Sequence, residues 1–396
     1  MATRHVGVLV VGAGQAGAGL AWALRDVGYD GTIAILGEEE RPPYERPPLS
    51  KDVLSGDMDA RRLSLRTAES YVSRDVGLVC GVRVAALDPT GHRAVTADGD
   101  EWTYDHCVLA TGAVPRVPTP VAEAGGHVVR TVEDAVTLAG RARAGQDVVV
   151  LGGGFLGLEI AASLRKRGAR TTVVEQANQI MPGRVSPHTA QAFHRLHTDN
   201  GVVIRFGETA ESVQESSAGS GVLVTRSGAE LSFDHLVVAA GAQPCSQIAR
   251  DAGIACGSGV LVDDEWRTSA PDVFAVGDVA SRRAPDGSEV RIESVSNATT
   301  SAKAAAHVIA GRPLPPVKVP TFWSTQHGVR LQTAGFVAPA IGVEDVVDDH
   351  GPTSYVVRRH QEGRLVGLEV VGRPADFVRG VAELTRAVRE SPVAIT

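Results

Sequence analysis

The chain carries no C-x-x-C pair, and its four cysteines, Cys80, Cys107, Cys245 and Cys256, form no closely spaced framework. That spacing excludes the usual mark of a dithiol–disulfide redox centre and reads as reduced, mostly buried thiols. Positive charge is also in short supply: a formal net charge of −7 argues against a general nucleic-acid binder, whose domain is normally basic. No apolar run reaches the ~18 residues needed to span a bilayer. The opening residues 1–5 lead straight into a strand-like run without a signal-peptide pattern. The expected compartment is the cytoplasm, with neither membrane nor nucleic acid as a partner.

Glycine, by contrast, is abundant, with 44 in 396 residues, which implies many tight turns and close approaches of backbone to ligand. The length suggests two or three domains. A hydrophobic content of 43% and a charged content of 21% are ordinary for a globular protein.

Two stretches share one architecture. Residues 6–11 form an apolar, β-branched strand that ends in Gly12-Ala13-Gly14-Gln15-Ala16-Gly17. A helix to about residue 27 and a strand over 32–36 follow, ending at Gly37-Glu38. The same order returns with a strand at 147–151, the turn Gly152-Gly153-Gly154-Phe155-Leu156-Gly157, a helix at 158–167 and a strand at 170–174 that ends at Glu175. A second echo is CVLATG at 107–112 and LVVAAG at 236–241, each followed by a proline turn that passes the chain to the other half. Domain limits follow: 1–112 with 242–318, then 113–241, then a small α+β unit over 319–396 beyond the proline-rich linker 312–320.

In each glycine turn the first glycine permits the bend, the second lets backbone approach a pyrophosphate, and the third lets helix pack on strand. The helix N-terminus offers free N–H groups to phosphate. Glu38 and Glu175 are placed to bind an adenosine ribose. Two such units in one chain, Gly12, Gly14 and Gly17 with Gly152, Gly154 and Gly157, point to FAD plus a nicotinamide nucleotide. Glu175 would repel a 2′-phosphate, and Gln176 stands where NADP users often have arginine, so NADH is expected over NADPH. Arg170 or Arg184 would weaken that preference if either reached the ribose.

The segment RPPYERPPLSK at 41–51 resembles the signature of the FAD-dependent ferredoxin and rubredoxin reductases of bacterial oxygenase systems. Apoptosis-inducing factor is a more distant relative of that family. GGGFLGLEIA at 152–161, FAVGDVA at 274–280, RIESVSNA at 291–298 and FWS at 322–324 match it in order along nearly the whole chain. The resemblance implies a glutathione-reductase-like α/β fold: two dinucleotide-binding, Rossmann-like domains and a C-terminal α+β interface domain. It also implies residue roles. Asp278 binds a ribitol hydroxyl of FAD. Lys51 lies near flavin N5 and O4, and Glu159 pairs with it. Arg46 and Arg130 contact FAD, Val295 offers its N–H to the flavin pyrimidine edge, and Trp323 packs on the ring. Glu293 approaches the nicotinamide carboxamide. The family more often continues FWS with Asp-Gln-Tyr, where this chain has Thr325-Gln326-His327, a departure close to the expected docking face.

The reaction that the resemblance implies carries hydride from NADH to FAD and single electrons onward to a 2Fe–2S ferredoxin, which serves an oxygenase. Arg282, Arg283 and Arg330 are the candidate docking cations for an acidic ferredoxin. Two other readings stand beside it. One is a stand-alone NADH oxidase or flavin reductase, which often carries a redox cysteine absent from 36–44 here. The other is a redox-sensitive binding protein, disfavoured by the negative charge and the lack of a basic run.

Overall fold

Apolar β-branched runs, buried on both faces, favour parallel strands, and such a run opens each half of the chain. The computed structural model describes residues 3–122, 124–215, 220–284, 287–335 and 342–390. In the first half β1 (Thr3–Val11) lies between β2 (Ile33–Leu36) and Glu101–Leu109, with Val76–Val79 outside β2, all parallel. Val8, Leu9 and Val10 are fully buried at its centre. The helix α1 (Gln15–Asp26) makes the crossover from β1 to β2.

The second half repeats the plan. β3 (Asp147–Leu151) and β4 (Arg170–Glu175) sit between His235–Val238 and Val203–Phe206 in a parallel four-stranded sheet. The connecting helix α2 (Phe155–Lys166) begins earlier than the expected residue 158, because Gly154 adopts the extended cap conformation and the chain coils directly after it. α3 (Pro187–Asp199) follows, capped by Ser186, whose Oγ accepts from Thr189 N. The two proline-turn segments pair with each other, Ala113–Pro115 antiparallel to Ala242–Pro244, and so bracket the two crossings between halves.

The chain then returns to the first sheet, where Val273–Ala275 pairs with residues 107–109. The helix α4 (Val295–Ile309) packs its alanines 298, 302, 305 and 306 against Leu20 and Leu24 of α1.

Beyond residue 320 an antiparallel sheet of five strands forms, led by the hairpin β5 (Thr321–Gln326) and β6 (Val329–Gly335). The helix α5 (Pro374–Glu390) covers one side of it through Leu384. Its other side packs on the second half, where Leu331, Tyr355 and Val371 share a core with Leu158 and Phe193. Polar groups clasp both ends of α3. Glu369 accepts from Ser186 N at 2.6 Å and Ser186 Oγ at 2.7 Å, while His197 in the last turn donates to Gln326 Oε1 at 2.8 Å.

Candidate active site

Each glycine turn forms an open cradle. Gly12 and Gly152 have φ of +115° and +107°, and a Cβ on either would stand 2.3 Å from the backbone oxygen of Ala110 or Ala239. A Cβ on Gly17 or Gly157 would lie 2.0 Å from the carbonyl oxygen of Gly12 or Gly152, so helix meets strand only without side chains. A Cβ on Gly14 or Gly154 would meet nothing within 4 Å beyond its chain neighbours. That open space at a helix N-terminus suits a pyrophosphate.

The two cradles are not identical. Gly12 N donates to Leu36 O, and Gly152 N donates to Val174 O, each at 2.8 Å. Counting from those bonds, Glu175 stands level with Gly37, and the counterpart of Glu38 is Gln176. Glu38 is exposed and 3.9 Å from Arg83. Glu175 is buried, and its carboxylate accepts from Gly153 N at 2.7 Å and Ala177 N at 2.8 Å. Glycine at 153 admits this, since Glu175 Cβ would approach a Cβ there to 3.1 Å.

Beside the first cradle stands the turn Gly277–Val279. Its position is fixed twice: a Cβ on Gly277 would meet Ala16 Cβ of α1 at 2.8 Å, and Gly277 N donates to Ser301 Oγ of α4 at 3.0 Å. Burial drives the Asp278 carboxyl up to about 6, opposed first by the charge of Arg130. Among the described residues no protein group donates to that carboxylate, and none accepts from the Arg130 guanidinium. Both groups fit a ligand rich in hydroxyl and phosphate oxygens, as FAD is. Arg46 is held by Glu39 at 2.5 Å, by the Tyr44 hydroxyl at 3.0 Å and by Arg130 O at 2.6 Å. Val295 is the first residue of α4, whose cap Ser294 accepts from Asn297 N and leaves the opening N–H groups of the helix to a ligand.

Three parts of the chain meet at one carboxylate. Lys51, on the single turn Leu49–Val53, places Nζ 2.6 Å from Glu159 Oε2, and its ammonium also donates to Pro47 O at 3.0 Å. Ser50 Oγ donates to the same Oε2 at 2.6 Å, and Ser324 Oγ of β5 donates to Oε1 at 2.6 Å. β5 alternates, so Ser324 and Gln326 face inward while Trp323 and Thr325 face the other way. Thr325 lies opposite Arg330, whose guanidinium sits 6.0 Å from the Trp323 ring centre. Thr321 N donates to Ser296 Oγ at 3.4 Å, which ties the start of β5 to the first turn of α4.

The other expected residues are distributed more loosely. Glu293 pairs with Arg291 at 2.5 Å, and Arg291 donates to Asp278 O at 3.1 Å, so this acid lies by the Asp278 turn. Arg282 is paired with Asp264 and lies over Trp266, and Arg283 stands opposite Glu289. Arg330 is exposed beside Trp323. Sequence reasoning did not find Glu39, Ser50, Ser324, Gln326 or His197. Ser50 adjoins Lys51, and the i, i+2 polar pair Ser324 and Gln326 on a strand was a usable signal. His197 becomes visible only when α3 meets β5.

Burial raises the thiols of Cys80, Cys107, Cys245 and Cys256, which disfavours thiolate chemistry at all four. Among the described residues no His, Cys, Asp and Glu group is arranged to hold a metal ion, and no helix is long and apolar enough to cross a membrane.

Comparison with known proteins bears on the family and the fold. Residues 6–302 match the family described as pyridine nucleotide-disulphide oxidoreductase, and residues 321–396 match the reductase C-terminal family. The terpredoxin reductase of a Pseudomonas species is 37% identical over 380 residues, covering 95% of this chain and 92% of that protein. The ferredoxin–NAD(+) reductase component of a p-cumate 2,3-dioxygenase system from Pseudomonas putida is 33% identical, covering 93% of this chain and 91% of its own length. The crystal structure of a covalent putidaredoxin reductase–putidaredoxin complex superposes with a TM-score of 0.92 at 30% identity, covering 96% of this chain and 93% of that one.

Proposed function

The chain belongs to the pyridine nucleotide-disulphide oxidoreductase family, among its FAD-dependent ferredoxin and rubredoxin reductases, and from that we propose that it oxidises NADH and delivers single electrons to a 2Fe–2S ferredoxin serving an oxygenase. The carrying observation is that two nucleotide cradles in one chain are joined through the Lys51–Glu159 pair, one partner from each half. When bound, FAD accepts two electrons from the nicotinamide nucleotide and releases them one at a time to the iron–sulfur partner.

The protein's own part is to bind, orient and hold charge. Gly12, Gly14 and Gly17 with the N-terminus of α1 cradle the FAD pyrophosphate, and Glu38 takes its ribose. Arg46 and Arg130 neutralise phosphate charge, and Asp278 accepts from the ribitol chain. Val295 N–H meets the pyrimidine edge, and Trp323 packs beside the ring. Gly152, Gly154 and Gly157, with Glu159, Glu175 and Glu293, hold NADH. Lys51 keeps a cation at the flavin, oriented by Glu159, where it favours added negative charge. The raised thiols speak for electron transfer without a cysteine relay.

Arg330 next to Trp323 is the cation best presented to an acidic ferredoxin, since Arg282 already has an acidic partner. The cytoplasm is the proposed compartment. The test is anaerobic rapid mixing of the yellow protein with NADH, followed by titration with a panel of ferredoxins. Fast bleaching by NADH and ferredoxin-dependent recovery are expected. Fast oxygen consumption without ferredoxin would instead support an oxidase.

A further inference from the structure

Behind the Lys51–Glu159 pair runs a chain of buried polar groups that the nucleotide sites do not use. Ser324 Oγ donates to Glu159 Oε1 at 2.6 Å, and Gln326 Nε2 donates to Ser324 Oγ at 3.0 Å. His197 Nε2 meets Gln326 Oε1 at 2.8 Å, and His327 Nε2 meets His197 Nδ1 at 3.2 Å. Glu159, Ser324, Gln326 and His197 are 5%, 0%, 1% and 0% exposed, so these bonds are made inside the protein.

The chemistry fixes every polarity in this chain. A carboxylate only accepts, so Ser324 must give its proton to Glu159 and accept from the Gln326 amide nitrogen. The amide oxygen then takes the Nε2 proton of His197, which leaves His197 Nδ1 as the acceptor for His327 Nε2–H. Four bonds thus point one way, from the tip of the β5–β6 hairpin to one anion. His327 occupies that tip with φ +48°, followed by Gly328 at +78°, a two-residue turn in which asparagine or glycine is the usual first residue. Burial pulls the His197 imidazole down to about 4, so it remains the neutral donor that this order requires.

We propose that Ser324, with Gln326 and His197 behind it, forms a positioning relay by which the C-terminal domain orients Glu159 and so fixes the Lys51 ammonium at the flavin. The proposal rests on the reading above that Lys51 stands by the flavin ring. Ser324 supplies the donor on Oε1, while Lys51 and Ser50 share Oε2. Without Ser324 the carboxylate loses its donor on Oε1 and is held only through Oε2, so its plane, and the direction in which it draws the ammonium, is less fixed.

The test compares Ser324→Ala and Lys51→Met with the native FAD-loaded protein, by reductive titration for the flavin midpoint potential and by rapid mixing with NADH. Nitrogen NMR of the histidine rings supplies a readout independent of turnover. Ser324→Ala is expected to retain FAD and slow flavin reduction about tenfold, the scale of one lost hydrogen bond to a charged acceptor. Its potential should move in the direction that Lys51→Met moves it, by a smaller amount. His197 should be the Nε2–H tautomer in the native protein. If Lys51→Met shifts the potential and Ser324→Ala does not, the relay is overturned while the Lys51 reading stands. If Lys51→Met leaves the potential unmoved, the Lys51 placement fails and takes the proposal with it. An Nδ1–H tautomer at His197 overturns the relay whatever the flavin does.

Discussion

Glu175 occupies in the second cradle the place that Gly37 holds in the first, and its carboxylate is engaged by Gly153 N and Ala177 N. Gln176 is therefore the residue level with Glu38. A 2′-phosphate at this point would meet a neutral amide and a nearby carboxylate.

Gln176→Arg should accordingly raise kcat/KM for NADPH by about tenfold or more, the worth of a bidentate arginine–phosphate contact. Use of NADH should change less. Steady-state kinetics with both nucleotides decides it, and an unchanged NADPH value would show that residue 176 does not face the ribose. Glu175→Ala is the contrasting variant: loss of its two backbone bonds should weaken both nucleotides together.

The glycines of each cradle separate folding from binding. Gly14→Ala places a methyl in open space, so the protein should fold with unchanged Tm and yet hold FAD at least about tenfold more weakly, as expected when phosphate hydrogen bonds are lost. Gly17→Ala forces a methyl to 2.0 Å from Gly12 O and should cost about 1–3 kcal/mol of stability. Gly154→Ala should leave the protein yellow but slow to accept electrons from NADH. Equal losses of stability in Gly14→Ala and Gly17→Ala would refute the cradle argument.

Asp278 links FAD affinity to pH. Its carboxyl is raised to about 6 by burial before any ligand is present. Hydrogen bonds from ribitol hydroxyls favour the ionised form, so binding must expel a proton at any pH below that value. FAD affinity is expected to hold above pH 7 and to fall as pH drops through 6. Asp278→Asn should bind more weakly at pH 7.5 and lose this dependence. Flavin titrations from pH 5 to 8 supply the measurement, and parallel curves for both proteins would contradict it.

The fold was legible because both halves carry strong local signals: apolar strand, glycine turn, helix and acid, each enforced by backbone sterics. Where the signal was one residue long it blurred. Two consecutive residues can both end a strand, and only the bond from Gly152 N to Val174 O shows which of Glu175 and Gln176 matches Glu38. Lys51 and Glu159 come from motifs 108 positions apart whose meeting the family resemblance implied. The Ser324–Gln326–His197 arrangement had no such help, because it arises where a C-terminal strand packs on a helix of the second half.

Electron delivery should depend on Arg330 more than on Arg282 or Arg283. Arg330 is exposed over Trp323, whereas Arg282 is paired with Asp264 and Arg283 faces Glu289. Arg330→Glu should raise KM for an acidic ferredoxin, with the gap widening at low salt, and should spare ferricyanide reduction. Equal loss of both activities would place the defect in the flavin rather than in docking.

His197 carries the last expectation, and its sign follows from burial. The imidazole is pulled from 6.5 down to about 4 by desolvation, with only the Gln326 bond opposing, while His327 and His194 add unfavourable charge. In the unfolded chain the same ring takes up a proton near pH 6.5, so below that value the unfolded state binds more protons than the native one. The full contribution of the neutral ring is present above pH 6.5 and drains away as pH falls toward 4, by roughly 3 kcal/mol over that interval. Burial also holds His127, His235 and His327 low and Asp278 high, so urea melts at pH 7.5, 6.0 and 5.0 isolate this ring only through the difference between the native protein and a His197 variant. His197→Gln should be less stable at pH 7.5 and lose less on acidification. If both proteins lose the same amount between pH 7.5 and 5.0, the ring is not held neutral in the native state, and the order of donors that leads to Glu159 loses its anchor.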